Sequence, residues 1–261
     1  MQALRIAATG MDAQQTRVAV ISNNIANMST TAFAARRAEF ADLHYQLLQE
    51  PGAVTSSTGN IAPSGVELGL GVRTASVTVN QEQGSLRQTG GDLDLAIEGR
   101  GFFEVTLPSG DAAFTRDGSF KRTGEGLVVT ADGYPLSGDI TIPEDARSIS
   151  INTNGEVFAY FDGQPEGQLI GSITLTRFPN EKGLSAIGGN LFRETEASGA
   201  PQPGQPDLEG RGTLRQGFLE ESSVDVVQQI ADLIEAQRGY ELNSRVISAV
   251  DQMLSATSQI R

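Results

Sequence analysis

The sequence predicts an α+β protein: an antiparallel β-rich middle domain, with long N- and C-terminal helices forming a coiled-coil terminal domain. Three observations predict it. Near the C-terminus Val226, Leu233, Tyr240, Ile247 and Leu254 recur every seven residues, with Ile230 on the neighbouring row. Near the N-terminus Leu4, Met11, Val18 and Ile25 recur in the same way, and Ala7, Ile21 and Met28 lie on the adjacent row beside Gln14. A seven-residue repeat drifts slowly round a helix of 3.6 residues per turn, so its apolar line becomes a seam that another helix must cover. Between these ends lie short alternating runs punctuated by Asp-Gly and Asn-Gly, the dipeptides of tight hairpins.

The first helix is expected over residues 3–28, ending in Asn27-Met28-Ser29-Thr30-Thr31, where short polar side chains compete for the backbone. From Ala32 to Gln49 the alanines and the spacing of Phe33, Phe40 and Leu47 favour a second helix, stopped by Pro51-Gly52. Residues 51–71 are rich in Gly, Ser, Thr and Pro and read as a loop or a loosely patterned hairpin. Strands are expected at Leu93–Glu98, Phe103–Leu107, Leu127–Thr130, Ile140–Ile142, Ser148–Ile151, Val157–Phe161 and Leu169–Thr176. The breaks among them include Asp117-Gly118, Asp132-Gly133, Asn154-Gly155 and Asp162-Gly163. Many short strands at close spacing indicate an antiparallel sandwich or open barrel. Residues 194–212 read as a surface linker. The last helix is expected over Ser222–Ala256, with Ser222 as its cap and Asp225 three residues on in an imperfect capping box. The division that follows is residues 1–31 with 222–261 as a helical coiled-coil core, 32–70 with 205–221 as a connector, and 71–204 as a β-rich outer domain.

Charge supports pairing of the two ends. Residues 1–37 carry Arg5, Arg17, Arg36 and Arg37 against Asp12, about +3, and residues 220–261 carry seven acidic residues and three arginines, about −4. Opposite charge helps choose a partner more than it stabilises one. Over the whole chain 19 basic residues face 32 acidic ones, a net charge of −13, which argues against nucleic acid as a partner. The chain has no cysteine, so disulfide and thiolate chemistry are excluded. No apolar run is long enough to span a bilayer, and no basic start leads into an apolar block with a cleavage site.

Catalytic, cofactor and metal chemistry find no constellation, and neither an enzyme nor a cofactor is expected. His44 is the one histidine and has no nucleophile motif around it. Asp92 and Asp94 share one face of a strand, where solvent accounts for them, and Glu220/Glu221 stand without a partner base. The Asp-Gly sites lack the ligand series of a calcium loop. Gly99-Arg100-Gly101-Phe102-Phe103 lacks the third glycine of a dinucleotide loop and sits between strands.

Several segments resemble the axial proteins of the bacterial flagellum, the rod and hook family. Ser22-Asn23-Asn24-Ile25-Ala26-Asn27, followed by Thr31 and Phe33, resembles the family's N-terminal motif. Asp94 through Phe103, then Phe114-Thr115-Arg116-Asp117-Gly118-Ser119-Phe120 and Ala131-Asp132-Gly133-Tyr134-Pro135, resemble its central β signature. Gln216-Gly217-Phe218-Leu219-Glu220, Gln237-Arg238-Gly239-Tyr240-Glu241 and Asp251-Gln252-Met253-Leu254 resemble its C-terminal motif. Glu50-Pro51-Gly52-Ala53 and Pro63-Ser64-Gly65 are similar to the insertion of the distal-rod branch rather than the hook branch. Three positions depart from the pattern: Ala32 stands where the family has glycine, Ala34 where it has a basic residue, and Gly239 where it has alanine, at about 1 kcal/mol for glycine inside a helix.

The resemblance implies a structural subunit that stacks helically into a hollow shaft carrying torque from motor to hook. The implied partners are further copies of the chain, proximal rod proteins, the hook protein and the surrounding peptidoglycan and outer-membrane ring proteins. It also implies delivery through the flagellar type III export apparatus without a cleaved signal peptide, and a place in the periplasm-spanning basal body. The self-assembly seam would comprise Leu4, Met11, Val18, Ile25, Val226, Ile230, Leu233, Tyr240, Ile247 and Leu254. The motif residues the resemblance marks are Asn23, Asn24, Ala26, Asn27, Gly99, Gly101, Phe102, Phe103, Gln237, Arg238, Tyr240 and Glu241. The alternatives are a proximal rod or hook protein of the same family and, from a different class, a β-domain binding module oligomerised through coiled-coil ends.

Overall fold

A computed structural model describes residues 2–50, 64–138, 140–164 and 166–259. The chain divides into two compact units, one of Met1–Ala26, Arg36–Thr78 and Asp225–Arg261, the other of Asn27–Ala35 and Val79–Val224. These bounds differ from those read off the sequence, because strand pairing sets them. Strands within 36–49 pair with strands within 66–79 beside the helices, and residues 205–224 stay with the β-rich unit.

In the first unit α1 (Gln2–Ala26) and α2 (Val226–Gln259) pack against each other along their lengths. They run antiparallel: Gly10 lies against Asn243, Gln14 against Gly239, Arg17 reaches Asp232 and Glu235, and Asn24 reaches Gln229. Asp225, not Ser222, caps α2. Its Oδ1 accepts from the backbone N–H groups of Val227 at 2.9 Å and Gln228 at 3.2 Å, satisfying two of the donors a helix start leaves free. The α2 helix continues through Gly239, where an added Cβ would lie 3.1 Å from Gln14 Cδ. Glycine there admits the neighbouring helix.

The stretch 36–49, where propensity favours a helix, is instead β1 (Arg36–Asp42) and β2 (Tyr45–Gln49). A strand needs a distant partner that a local window cannot see. Here β2 pairs antiparallel with β3 (Val66–Gly69), and β1 pairs with β4 (Val72–Val79), whose Val and Thr residues suit a pleated surface. Asn24 also holds Arg36 extended: its Nδ2 donates to the Arg36 carbonyl at 2.8 Å and its Oδ1 accepts from the Arg36 N–H at 2.9 Å. Of the stretch 51–71, expected as a loop or loosely patterned hairpin, the described part holds β3, whose partner β2 lies before it. The remainder, residues 51–63 with insertion residues Pro51, Gly52, Ala53 and Pro63, lies outside the described residues.

The second unit contains, in chain order, β5 (Leu86–Gln88), β6 (Leu95–Glu98), β7 (Phe103–Thr106), β8 (Ala112–Thr115), β9 (Lys121–Arg122), β10 (Val128–Val129), β11 (Ala146–Ile151), β12 (Glu156–Phe161), β13 (Gln168–Ser172), β14 (Leu175–Arg177), β15 (Ser185–Gly188), β16 (Leu191–Arg193), β17 (Gln202–Gly204), β18 (Thr213–Gln216) and β19 (Phe218–Glu220). They form a four-stranded sheet in the order β15-β16-β8-β7, a three-stranded sheet β11-β12-β13, and the antiparallel pairs β18-β6, β19-β5, β14-β17 and β10-β9. The main core gathers Leu95, Ile97, Phe103, Val105, Leu175 and Leu214, each at most 1% exposed. Alternation puts Phe102 and Phe103 on opposite sides of one strand. Phe103 meets Phe120 edge-on in this core, and Phe102 packs with Phe114, Phe178 and Leu184 in a second cluster.

Two strands expected from sequence differ. Ile140–Ile142 makes only a single bridge, Leu127 to Thr141, although Ile140 and Ile142 are buried. Leu169–Thr176 splits into β13 and β14 around a buried Ile173. The segment 194–212, expected as a surface linker, contributes β17 and the buried Ser198 and Arg211. The Arg211 guanidinium donates to the carbonyls of Gln202 and Pro203 and pairs with Glu209 at 2.7 Å, which ties this glycine- and proline-rich stretch to itself, while β17 pairs with β14.

Among the described residues, Gln14 Oε1 is buried without a hydrogen-bond partner. An orphaned buried acceptor costs about 1–3 kcal/mol. Gln14→Met keeps the length of the side chain and removes the orphan. It is expected to stabilise the helix pair by about 1 kcal/mol, read from thermal unfolding followed by helical circular dichroism.

Candidate assembly surfaces

On α1 the contact uses the second of the seven-residue rows, Ala7, Gln14 and Ile21, together with small and polar side chains, and not the row Leu4, Met11, Val18 and Ile25. Ala7, Ala13 and Ile21 of α1 and Ala236 of α2 are buried, and a Cβ on Gly10 or Gly239 would crowd Asn243 or Gln14 of the other helix. Small residues let two helix backbones draw close, but they bury little apolar area. The row of Leu4, Met11, Val18 and Ile25, and most of the α2 row, therefore flank the contact. Leu4, Met11, Val18 and Ile25 are half-buried, as are Val226, Leu233 and Ile247. Ile230, Tyr240 and Leu254 are exposed at 47%, 45% and 43%. A further apolar set was not singled out by the repeat: Val227 at 79%, Ile234 at 47%, Leu242 at 62% and Met253 at 61% exposure. The Arg17 pairs to Asp232 and Glu235 are partly exposed and contribute a few tenths of a kcal/mol each.

The N-terminal motif residues serve the fold at Asn24 and the turn at Asn27. Asn24 is 1% exposed, and besides clamping Arg36 it donates to Gln229 Oε1 at 2.9 Å, so one amide joins α1, β1 and α2. Asn27 accepts from Thr30 Oγ1 at 3.1 Å in the turn after the helix. Asn23 and Ala26 are exposed. At the C-terminal motif Gln237, Arg238, Tyr240 and Glu241 all have exposed side chains, so packing within the chain does not explain them.

The central motif converges on one ion pair. Arg116 Nε donates to Glu220 Oε2 at 2.9 Å, with side chains 13% and 5% exposed. Its other nitrogens donate to the carbonyls of Gly101 at 3.1 Å and Gly99 at 3.0 Å, and its guanidinium lies 6.0 Å from the centre of the Phe102 ring. Gly99 and Gly101 have φ of 114° and 134°, where a side chain is strained, and a Cβ on Gly99 would sit 2.9 Å from Gly212 Cα. Glu220 also accepts from the Gly84 N–H through its side chain, and its carbonyl accepts from the Ala32 N–H at 2.8 Å. Ala32 holds φ 54°, so the turn after the first helix persists without glycine at a cost of about 1–2 kcal/mol. Three motif segments far apart in sequence thus meet at Arg116 and Glu220. The sequence reading quoted both residues within motifs but assigned neither a role, because the pairing is non-local.

Among the described residues no group of three or more His, Asp or Glu could hold a metal ion, and no helix is long and apolar enough to cross a membrane. His44 lies on the surface beside Asp42, Tyr45 and Arg73 in an open depression.

Arg116→Ala strands a buried carboxylate and two carbonyls. It is expected to destabilise the β-rich unit by about 3–5 kcal/mol, measured by urea unfolding. Arg215→Ala removes the half-exposed pair to Glu98 and is expected to cost under about 1 kcal/mol in the same assay.

Comparison with known proteins returns one lineage along the chain. Residues 4–33 match the family described as flagella basal body rod protein, residues 96–159 the flagellar hook protein FlgE/F/G D1 domain, and residues 215–260 the flagellar basal body rod FlgEFG protein C-terminal. The chain is similar to the flagellar basal-body rod protein FlgG of Caulobacter vibrioides, 53% identical over 100% of both chains. It is 46% identical to that of Agrobacterium fabrum over 99% of both. It is 30% identical to the flagellar hook-basal body complex protein FlhP of Bacillus subtilis over 100% of both.

Proposed function

The chain belongs to the family of flagellar basal-body rod and hook proteins, and we propose that it is the FlgG-like structural subunit of the distal rod. Copies stack helically into a hollow drive shaft that transmits torque from the motor to the hook. The observation that carries the polymeric reading is the apolar surface of α2 that α1 leaves uncovered, from Val227 to Leu254. Exposed apolar surface of this kind is worth roughly 25 cal/mol per Å² once covered. A second copy is the simplest cover, and a head-to-tail contact that does not close yields a helical filament.

In this reading the paired terminal helices build the inner wall of the shaft and the β-rich unit faces outward, toward ring proteins of the peptidoglycan and outer membrane. Proximal rod proteins and the hook protein cap the two ends. Export runs through the flagellar type III apparatus, with the basal body as the destination. The described part of the hairpin next to the insertion, β2 and β3, exposes Tyr45, Leu47, Leu48, Val66 and Leu68, further apolar surface suited to neighbours.

Leu233→Asp places a charge in the half-covered row of α2. Electron microscopy of concentrated full-length protein is expected to show tubes for the unmodified chain and none for the variant. Urea unfolding of the β-rich unit is expected to be unchanged. Tubes from the variant at the same concentration would refute the role of this row.

A further inference from the structure

We propose that the outward ridge of α2, formed by Val227, Ile230 and Ile234, seats in the groove between α1 and the β1–β4 pair of a second copy of this chain. The inference rests on the polymeric reading above and specifies its contact. The ridge residues stand three and four positions apart, on one helical face, and are 79%, 47% and 47% exposed. They occupy a different face from Gln229, Ala236 and Asn243, which meet or approach α1.

The groove is an open depression of about 470 Å³ lined by α1 residues from Asp12 to Asn23 together with Arg36 and Val77. Its apolar floor is Ala19, Val20 and Val77, the last 44% exposed. Asp12 stands at one end. Arg36 stands at the other, because Asn24 holds its backbone there.

Length and charge fix the occupant and its direction. Asp12 to Asn23 and Val227 to Arg238 are helical stretches of equal span, roughly 16 Å at about 1.5 Å per residue. Laid antiparallel with Arg238 over Asp12, the ridge sets Ile230 over Val20 and beside Ala19, with Ile234 near Thr16 and Val227 near Asn23. Laid parallel, it would put Arg238 beside Arg36, a like-charge contact. Among the described residues neither Asp12 nor Arg238 has an ion-pair partner within the chain. Arg238 belongs to the exposed C-terminal motif that packing within one chain leaves unexplained. Ridge and groove are different surfaces, so the contact is head-to-tail and propagates.

The absence of cysteine makes the test direct. Ala19→Cys and Ile230→Cys proteins are mixed, polymerised and oxidised. A disulfide-linked dimer is expected, at a yield at least about tenfold above that of Ala19→Cys mixed with Leu242→Cys, an exposed site off the ridge. Filaments that lack the disulfide would overturn this contact and leave the rod reading intact. Failure of the unmodified chain to form filaments would overturn the rod reading beneath it. A charge swap provides a second measurement that needs no new thiol. Asp12→Arg and Arg238→Asp are each expected to raise the critical concentration about tenfold, and the double variant to return it to within about threefold. A double variant no better than either single one would overturn the pairing.

Discussion

One helix pair that cannot cover its own apolar surface governs this structure. The α2 helix has 34 residues and α1 has 25, and they meet over glycines, alanines and amides. Close approach through small residues fixes their register but leaves the larger aliphatic side chains at the margins or in solvent. A monomeric protein rarely keeps so much contiguous apolar surface exposed. In the proposed reading this surface is what neighbouring copies cover, while the excursion through residues 79–224 forms a separate compact unit with its own core.

That excursion is tied by a different interaction. Arg116 and Glu220 join a turn built on two left-handed glycines to the last strand before α2, and the Glu220 carbonyl holds the turn at Ala32 after α1. Replacing a buried ion pair with apolar groups can be neutral, but removing one partner is costly. The pair therefore acts as a joint requirement on three segments remote in sequence. It gives a physical reason for motif residues that look, on the sequence alone, like ordinary turn chemistry.

The sequence made the helices legible because a seven-residue repeat is local and long, and it made turns legible at Asp132-Gly133, Asn154-Gly155 and Asp162-Gly163, whose glycines hold positive φ, whereas Gly118 after Asp117 does not. It did not reveal β1 and β2. Their alanines and phenylalanine spacing suit a helix, and only the distant β3 and β4 and the amide of Asn24 make them strands. Residues 194–212 misled for a similar reason, since Arg211 organises a stretch whose composition reads as a linker. For the assembly surfaces, the repeat found the rows that flank the helix contact. Its second row also held Ala7 and Ile21, which are buried, but it missed Ala13, Ala236 and the exposed Val227 and Ile234, because these depend on where the partner helix lies. Gly239 shows the limit of propensity: it weakens a helix in isolation, yet it stands where Gln14 needs the space.

Amide hydrogen exchange along α2, compared between dilute monomer and polymer, tests the central claim most directly. The account predicts weak protection across Val226–Leu254 in the monomer and protection rising by orders of magnitude on assembly, since neighbouring copies supply the missing cover. Strong protection of that stretch in a solitary chain, unchanged at high concentration, would contradict it.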